Sequence, residues 1–222
     1  MQHPDIFFML ILVMIAALIV QYRSLTKKKF RRELEKNLNE NHSLIKYKQQ
    51  LESPKGKKYI RSTEAALLLL NAAIDLEQGD DVRMLIVQLD NTRMRSRDFI
   101  DYNMKKLAYG ISKKDPVLAK SAWEILHNSH FAKYVKKEAD QLYDIYVLHQ
   151  ANHIDELLIF ADKAKNPSSK AMAYYRIAQQ YHNIQNTVER DSYLRKARDA
   201  FPDKTWQTML DTMLSGDLSQ LD

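Results

Sequence analysis

Apolar and polar residues recur along most of this chain at the period of a helix, and nowhere at the period of a strand. From Tyr59 onward, amphipathic stretches three to four helical turns long are separated by short polar turns. These turns are "EQGDD" (77–81), "KKDP" (113–116), "HNSH" (127–130), "QANHID" (150–155), "KNPSS" (165–169), "IQNT" (184–187) and "FPDK" (201–204). Asp115 ahead of Pro116 supplies an N-cap and a first helical residue, and Pro167 and Pro202 stop the helices before them. The pattern predicts an all-α fold, with about four helical hairpins across residues 59–222 and a capping helix in "TWQTMLDTMLSGDL".

The stretch before Tyr59 is patterned differently. Ile6 to Val20, "IFFMLILVMIAALIV", holds no charged side chain, and Gln21 and Tyr22 extend the uncharged run as far as Arg23. At about 1.5 Å per residue the run from Ile6 to Tyr22 covers roughly 25 Å, the short end of a bilayer span. No basic region precedes it and no small-residue cleavage site follows, so it is not a cleaved secretory signal. The expectation is an N-terminal transmembrane helix at 6–22, preceded by an extracytoplasmic N-terminus at 1–5. Arg23, Lys27, Lys28, Lys29, Arg31 and Arg32 follow at once. By the positive-inside rule they place the remainder in the cytoplasm, and they suit anionic lipid headgroups. That describes a single-pass protein of the cell membrane.

Residues 23–58 read as a basic juxtamembrane helix, or stalk, and a linker. Phe30, Leu34, Leu38, Ile45 and Leu51 form a narrow apolar seam among charges, and a homo-oligomer would pair through residues 30–51. Pro54 and Gly56 break the helical run and mark the start of the domain at 59–222.

Charge sharpens this division. The net formal charge is +6, yet residues 23–61 hold 13 Lys or Arg against 4 Asp or Glu, whereas residues 62–222 hold 21 against 23. With no basic stripe interleaved with aromatics in the folded part, nucleic acid is not an expected partner. The chain contains no cysteine, which excludes disulfides, Cys-based metal sites and thiol nucleophiles.

"AMAYYRIAQQYHNIQNTVERDSYLRKARDAFPDK", residues 171–204, resembles a tetratricopeptide repeat. Tyr174 stands at the large aromatic of the first helix, Ile177 and Ala178 at the Leu-Gly pair, and Tyr181 at the tyrosine that follows. Leu194 stands at the second-helix aromatic, Ala197 at the tight alanine and Pro202 at the closing proline. Arg190 departs from the pattern where the family has a small residue, and Gln185 replaces the usual turn glycine. The resemblance implies a TPR-like α-solenoid whose first helices line a partner groove. Carried onto this repeat, the groove residues are Met172, Tyr175, Arg176, Gln179, His182 and Asn183, with Arg176 holding a carboxylate and Tyr175 an apolar side chain.

Catalytic chemistry finds little support in the sequence. "HQANH" (149–153) has the histidine spacing of a zincin helix, but Gln150 occupies the place of the glutamate base. His127 and His130 are three apart with no third ligand in view, and no phosphate-cradling loop or nucleophile elbow occurs. The expectations are no enzyme activity, no catalytic or metal-binding residues and no cofactor. The function read from these features is a membrane-tethered adaptor whose cytoplasmic domain recruits or organises a protein partner at the membrane. The alternative is a small structural subunit of a multi-protein membrane complex, held mainly through its span.

Overall fold

The computed structural model describes residues 4–130, 133–219 and 221, and the side chains of these except at 4–19 and 23. The protein is all-α and about 80% helical. Its helices are α1 (Pro4–Asn41), α2 (Leu44–Glu52), α3 (Pro54–Tyr59), α4 (Ser62–Asp75), α5 (Gly79–Asp90), α6 (Ser96–Ser112), α7 (Pro116–Asn128), α8 (Lys133–Tyr146), α9 (Ile154–Lys163), α10 (Pro167–Asn183), α11 (Thr187–Ala200) and α12 (Lys204–Leu214). They form two compact units, Met1–Tyr102 and Asn103–Asp222, with the division falling within α6.

In the first unit, α1 packs against α2 and α3, α2 against α4, and α4 against α5. Ser53 makes the corner between α2 and α3: its hydroxyl donates to the Gln50 carbonyl and accepts from the Gly56 amide, while Pro54 supplies the first helical φ. Phe30, Leu34, Leu44, Tyr47, Leu51 and Ile60 are buried, together with Leu67 and Leu70 of α4 and Val82 and Leu89 of α5. Each buried side chain of this size contributes about 1.5–3 kcal/mol of transfer free energy. Most of the seam at residues 30–51 therefore faces its own chain, and Ile45 alone among its five large residues is strongly exposed.

The N-terminal expectation is corrected. Among the described residues no helix is long and apolar enough to cross a membrane. This overturns both the transmembrane helix at 6–22 and the single-pass membrane localisation drawn from it. Residues 1–3 of the expected N-terminus at 1–5, and the side chains of residues 4–19 and of Arg23, lie outside what is described. The physical reason is visible beyond them. α1 continues without a break to Asn41, and its second half is a charged, amphipathic helix that is part of the folded unit. Lys27 and Arg31 donate to the Glu64 carboxylate of α4, so two of the six cations are engaged by protein.

In the second unit α10 packs most extensively against α11, and also against α9 and α8, while α11 packs against α12. Ile177, Ala178, Leu194, Ala197 and Leu210 are completely buried in this core. Alanines at 161, 171, 178 and 197 let the helices approach closely, and Tyr174, Tyr181 and Tyr193 fill the space beside them, with Tyr181 stacked on Tyr193 at 5.6 Å.

One backbone device recurs along both units. The helix–turn corners place His42, Glu77, Lys114, His149 and Gln185 in the left-handed region, at intervals of 35, 37, 35 and 36 residues. After α4, α6 and α10 the same two bonds close the helix. Gln78, Asp115 and Asn186 donate to the carbonyls of Ala73, Gly110 and Tyr181, while Glu77, Lys114 and Gln185 donate to those of Ile74, Ile111 and His182. α12 closes the same way through Gly216, at φ 114°, and Asp217.

Candidate functional site

α10 carries all six groove candidates. Asn166 caps it by accepting from the Ser168 amide, Pro167 starts it and the left-handed Gln185 ends it. Its surroundings divide these residues into two sets.

Tyr175 and Gln179 face the C-terminal segment and are buried. The Tyr175 ring meets the edge of Trp206 at 6.1 Å, Trp206 stacks on Phe201 at 4.8 Å, and burial pushes the Tyr175 hydroxyl up to about 12. Gln179 donates from Nε2 to the main-chain carbonyl of Leu221 at 2.8 Å and to Asn183 Oδ1 at 3.1 Å. Leu221 is itself buried, so this residue lies back on α10. Oε1 of Gln179 is buried with no hydrogen-bond partner among the described residues. Met172 is half-buried and packs on the same core.

Arg176 and Asn183 face the other way. Arg176 donates to Gln141 Oε1 at 2.9 Å and Glu138 Oε1 at 2.6 Å, so the carboxylate expected from a partner is supplied by α8. Asn183 donates to the Ile145 carbonyl at 2.9 Å, and His182 is half-buried. Neighbouring Gln180 accepts from the His153 amide at 2.8 Å, pinning the α8–α9 loop. α10 thus presents a ladder of side-chain amides that hold main-chain groups of loops and of the end of α8.

Of the six basic residues after the N-terminal run, Lys27 and Arg31 pair with Glu64, which Arg61 also approaches at 3.9 Å, while Lys28, Lys29 and Arg32 are exposed. Burial alone would raise the Glu64 carboxyl, but hydrogen bonds from Lys27 and Arg31 hold it below the usual carboxylate range.

The histidine motifs do not assemble. Residues 149–153 form a loop, with His153 Nε2 at 2.9 Å from Asp144 and His149 left-handed, so the two rings share no helix face. His127 Nδ1 lies 2.6 Å from Asp140 Oδ1, which also accepts from Trp123 Nε1 at 2.8 Å. Among the described residues no group of three acidic or histidine side chains is placed to hold a metal ion.

Sequence reasoning missed a third feature. Ala164, Lys165, Pro167, Lys170, Tyr174, Lys196, Asp199 and Ala200 line an open cavity of about 510 Å³ between the α9–α10 turn and α11. Its lysines are scattered too widely along the sequence to suggest a cluster until the hairpin brings Lys196 back beside Lys165 and Lys170. Lys170 Nζ stands over the Tyr174 ring at 5.8 Å and Lys196 Nζ over the Tyr193 ring at 4.0 Å. No protein-family model, curated protein or solved structure matches this chain.

Proposed function

We propose that this chain is a non-enzymatic, helical-hairpin scaffold that binds protein partners, and that the face of α10 carrying Gln179 holds an extended segment of polypeptide. The observation that carries this reading is the Gln179–Leu221 contact, in which a buried side-chain amide grips a main-chain carbonyl beside an aromatic wall of Tyr175 and Trp206. Main-chain hydrogen bonds give affinity for a backbone whatever its sequence, and the aromatic wall selects an apolar side chain. The chain's own Leu221 is its occupant here. Left-handed corners at intervals of 35 to 37 residues, together with the placing of Ile177, Ala178, Leu194 and Ala197 in the core, support tetratricopeptide-like hairpins as the framework.

The test is binding in trans. A chain ending at Ser215 is expected to bind a labelled peptide of residues 215–222 at a single site, and Gln179→Met in that chain is expected to weaken binding. Circular dichroism verifies that each variant is folded. A folded, truncated chain that ignores the peptide overturns the reading.

A further inference from the structure

The lysine-lined cavity lies on another side of α10 from Gln179, and the α10 contacts just described leave it without a role. Three of its lining residues are lysines: Lys165 from the α9–α10 turn, Lys170 from the first turn of α10 and Lys196 from the last turns of α11. None of the three forms an ion pair with a carboxylate among the described residues. The one acid in the lining, Asp199, is already held by Arg198, whose Nε donates to it at 3.0 Å and NH2 at 2.9 Å. Its apolar lining comes from Ala164, Pro167, Ala200 and the Tyr174 ring.

We infer that this cavity binds an acidic peptide segment of a protein partner, one that sets carboxylates around a single apolar side chain. Charge complementarity selects the class: three lining lysines without an ion-pair partner among the described residues are neutralised by carboxylates, and lysines, as compact point charges without a planar fork, tolerate several carboxylate positions. The apolar part of the lining selects the side chain between them, since desolvating Tyr174 and Pro167 needs an apolar group and not a free anion. Nucleic acid fits poorly, because the lining offers a single aromatic ring, Tyr174, and Lys170 Nζ stands over it at 5.8 Å, leaving little aromatic surface for base stacking. Lys170 and Lys196, drawn over tyrosine rings, are partly ordered before a ligand arrives, which lowers the entropy cost of engaging them.

The experiment is a fluorescence-anisotropy titration of the full chain with a short labelled peptide of Glu and Asp flanking one Leu. Binding is expected that weakens as salt rises. It should fall roughly tenfold or more when Lys165, Lys170 and Lys196 are all changed to Glu, and less steeply when they are changed to Gln. Reversal of Lys46, Lys48 and Lys57, which are exposed on α2 and α3, should leave the affinity within about twofold. Replacing the central Leu of the peptide with Ser should cost several-fold, as should Tyr174→Ala in a chain shown to remain folded. Equal loss from the two lysine triples overturns the proposal, as does a peptide indifferent to its Leu. Complete displacement by inorganic phosphate would reduce the cavity to a simple anion site and overturn it too. So would a single-stranded oligonucleotide that binds the cavity while the peptide does not.

Discussion

Glu64 of α4 accepts a hydrogen bond from Lys27 of α1 at 2.8 Å and another from Arg31 one turn further along the same helix. The carboxylate is 10% exposed and its partners are 36% and 44% exposed, so one sheltered acid fastens two cations that keep access to water.

That asymmetry sets the cost of removing it. In Glu64→Gln the two cations can turn to solvent, so the loss is expected at about 1–2 kcal/mol, short of that for a fully buried pair. The pH dependence has a definite sign. The folded carboxyl lies below its ordinary value of 4.5, so the contribution is complete above that value and disappears as the pH falls through the folded one. Urea unfolding of the first unit's transition, followed from neutral pH into acid, should show wild type and Glu64→Gln converging. A gap that stays constant in acid would contradict the assignment.

Gln185 marks a second, opposite opportunity. At φ 59° it takes a conformation that costs a residue with a Cβ about 1 kcal/mol and that glycine adopts freely. Gln185→Gly is expected to stabilise the second unit by about 0.5–1 kcal/mol, and Gln185→Asn by less. A thermal melt of the two variants beside wild type checks this; a lower melting temperature for the glycine variant would contradict it.

These two residues also show what a sequence exposes and what it hides. The corner at Gln185 was legible because turn chemistry is local: polar, capping-prone residues between two helical patterns name the turn. The role of Glu64 was not. Its partners lie 33 and 37 residues away, and a hydropathy window over residues 6–22, followed by a count of basic residues, has no means of pairing Lys27 with a later acid. The apolar seam of Phe30 and Leu34 was readable as a helix face, while its burial within the first unit depended on α2, α3 and α4, which enter only with the tertiary structure. On α10 the helix was legible, but the contacts of its side chains were not. Leu221 and Glu138 reach them from 42 and 38 residues away.

Gly110 provides a packing test. In an exposed helix Ala is favoured over Gly by about 1 kcal/mol. Here a Cβ would fall 2.7 Å from the Ala119 amide nitrogen and 3.0 Å from its Cα, and backbone cannot swing aside. Gly110→Ala is expected to destabilise the second unit by about 1–3 kcal/mol despite its better propensity, because α7 must shift. Denaturant unfolding decides the sign, and a stabilised alanine variant would mean that the two helices are further apart than described.

Arg176 separates charge from geometry. Its side chain is 15% exposed and its two terminal nitrogens serve two different acceptors, Gln141 and Glu138. Glu138 is 43% exposed and regains water if abandoned, whereas Gln141 is buried and would be left with an acceptor unpaired. Arg176→Met should therefore cost about 1–3 kcal/mol, most of it through Gln141. A lysine keeps the charge but presents a single ammonium on a flexible stem, and cannot reproduce the fork that spans both oxygens. If geometry dominates, Arg176→Lys recovers less than half of the loss in urea unfolding, and adding Gln141→Leu to Arg176→Met returns part of it by removing the stranded amide. Full recovery by lysine would instead make the contact a simple charge pair and shift the weight to Glu138.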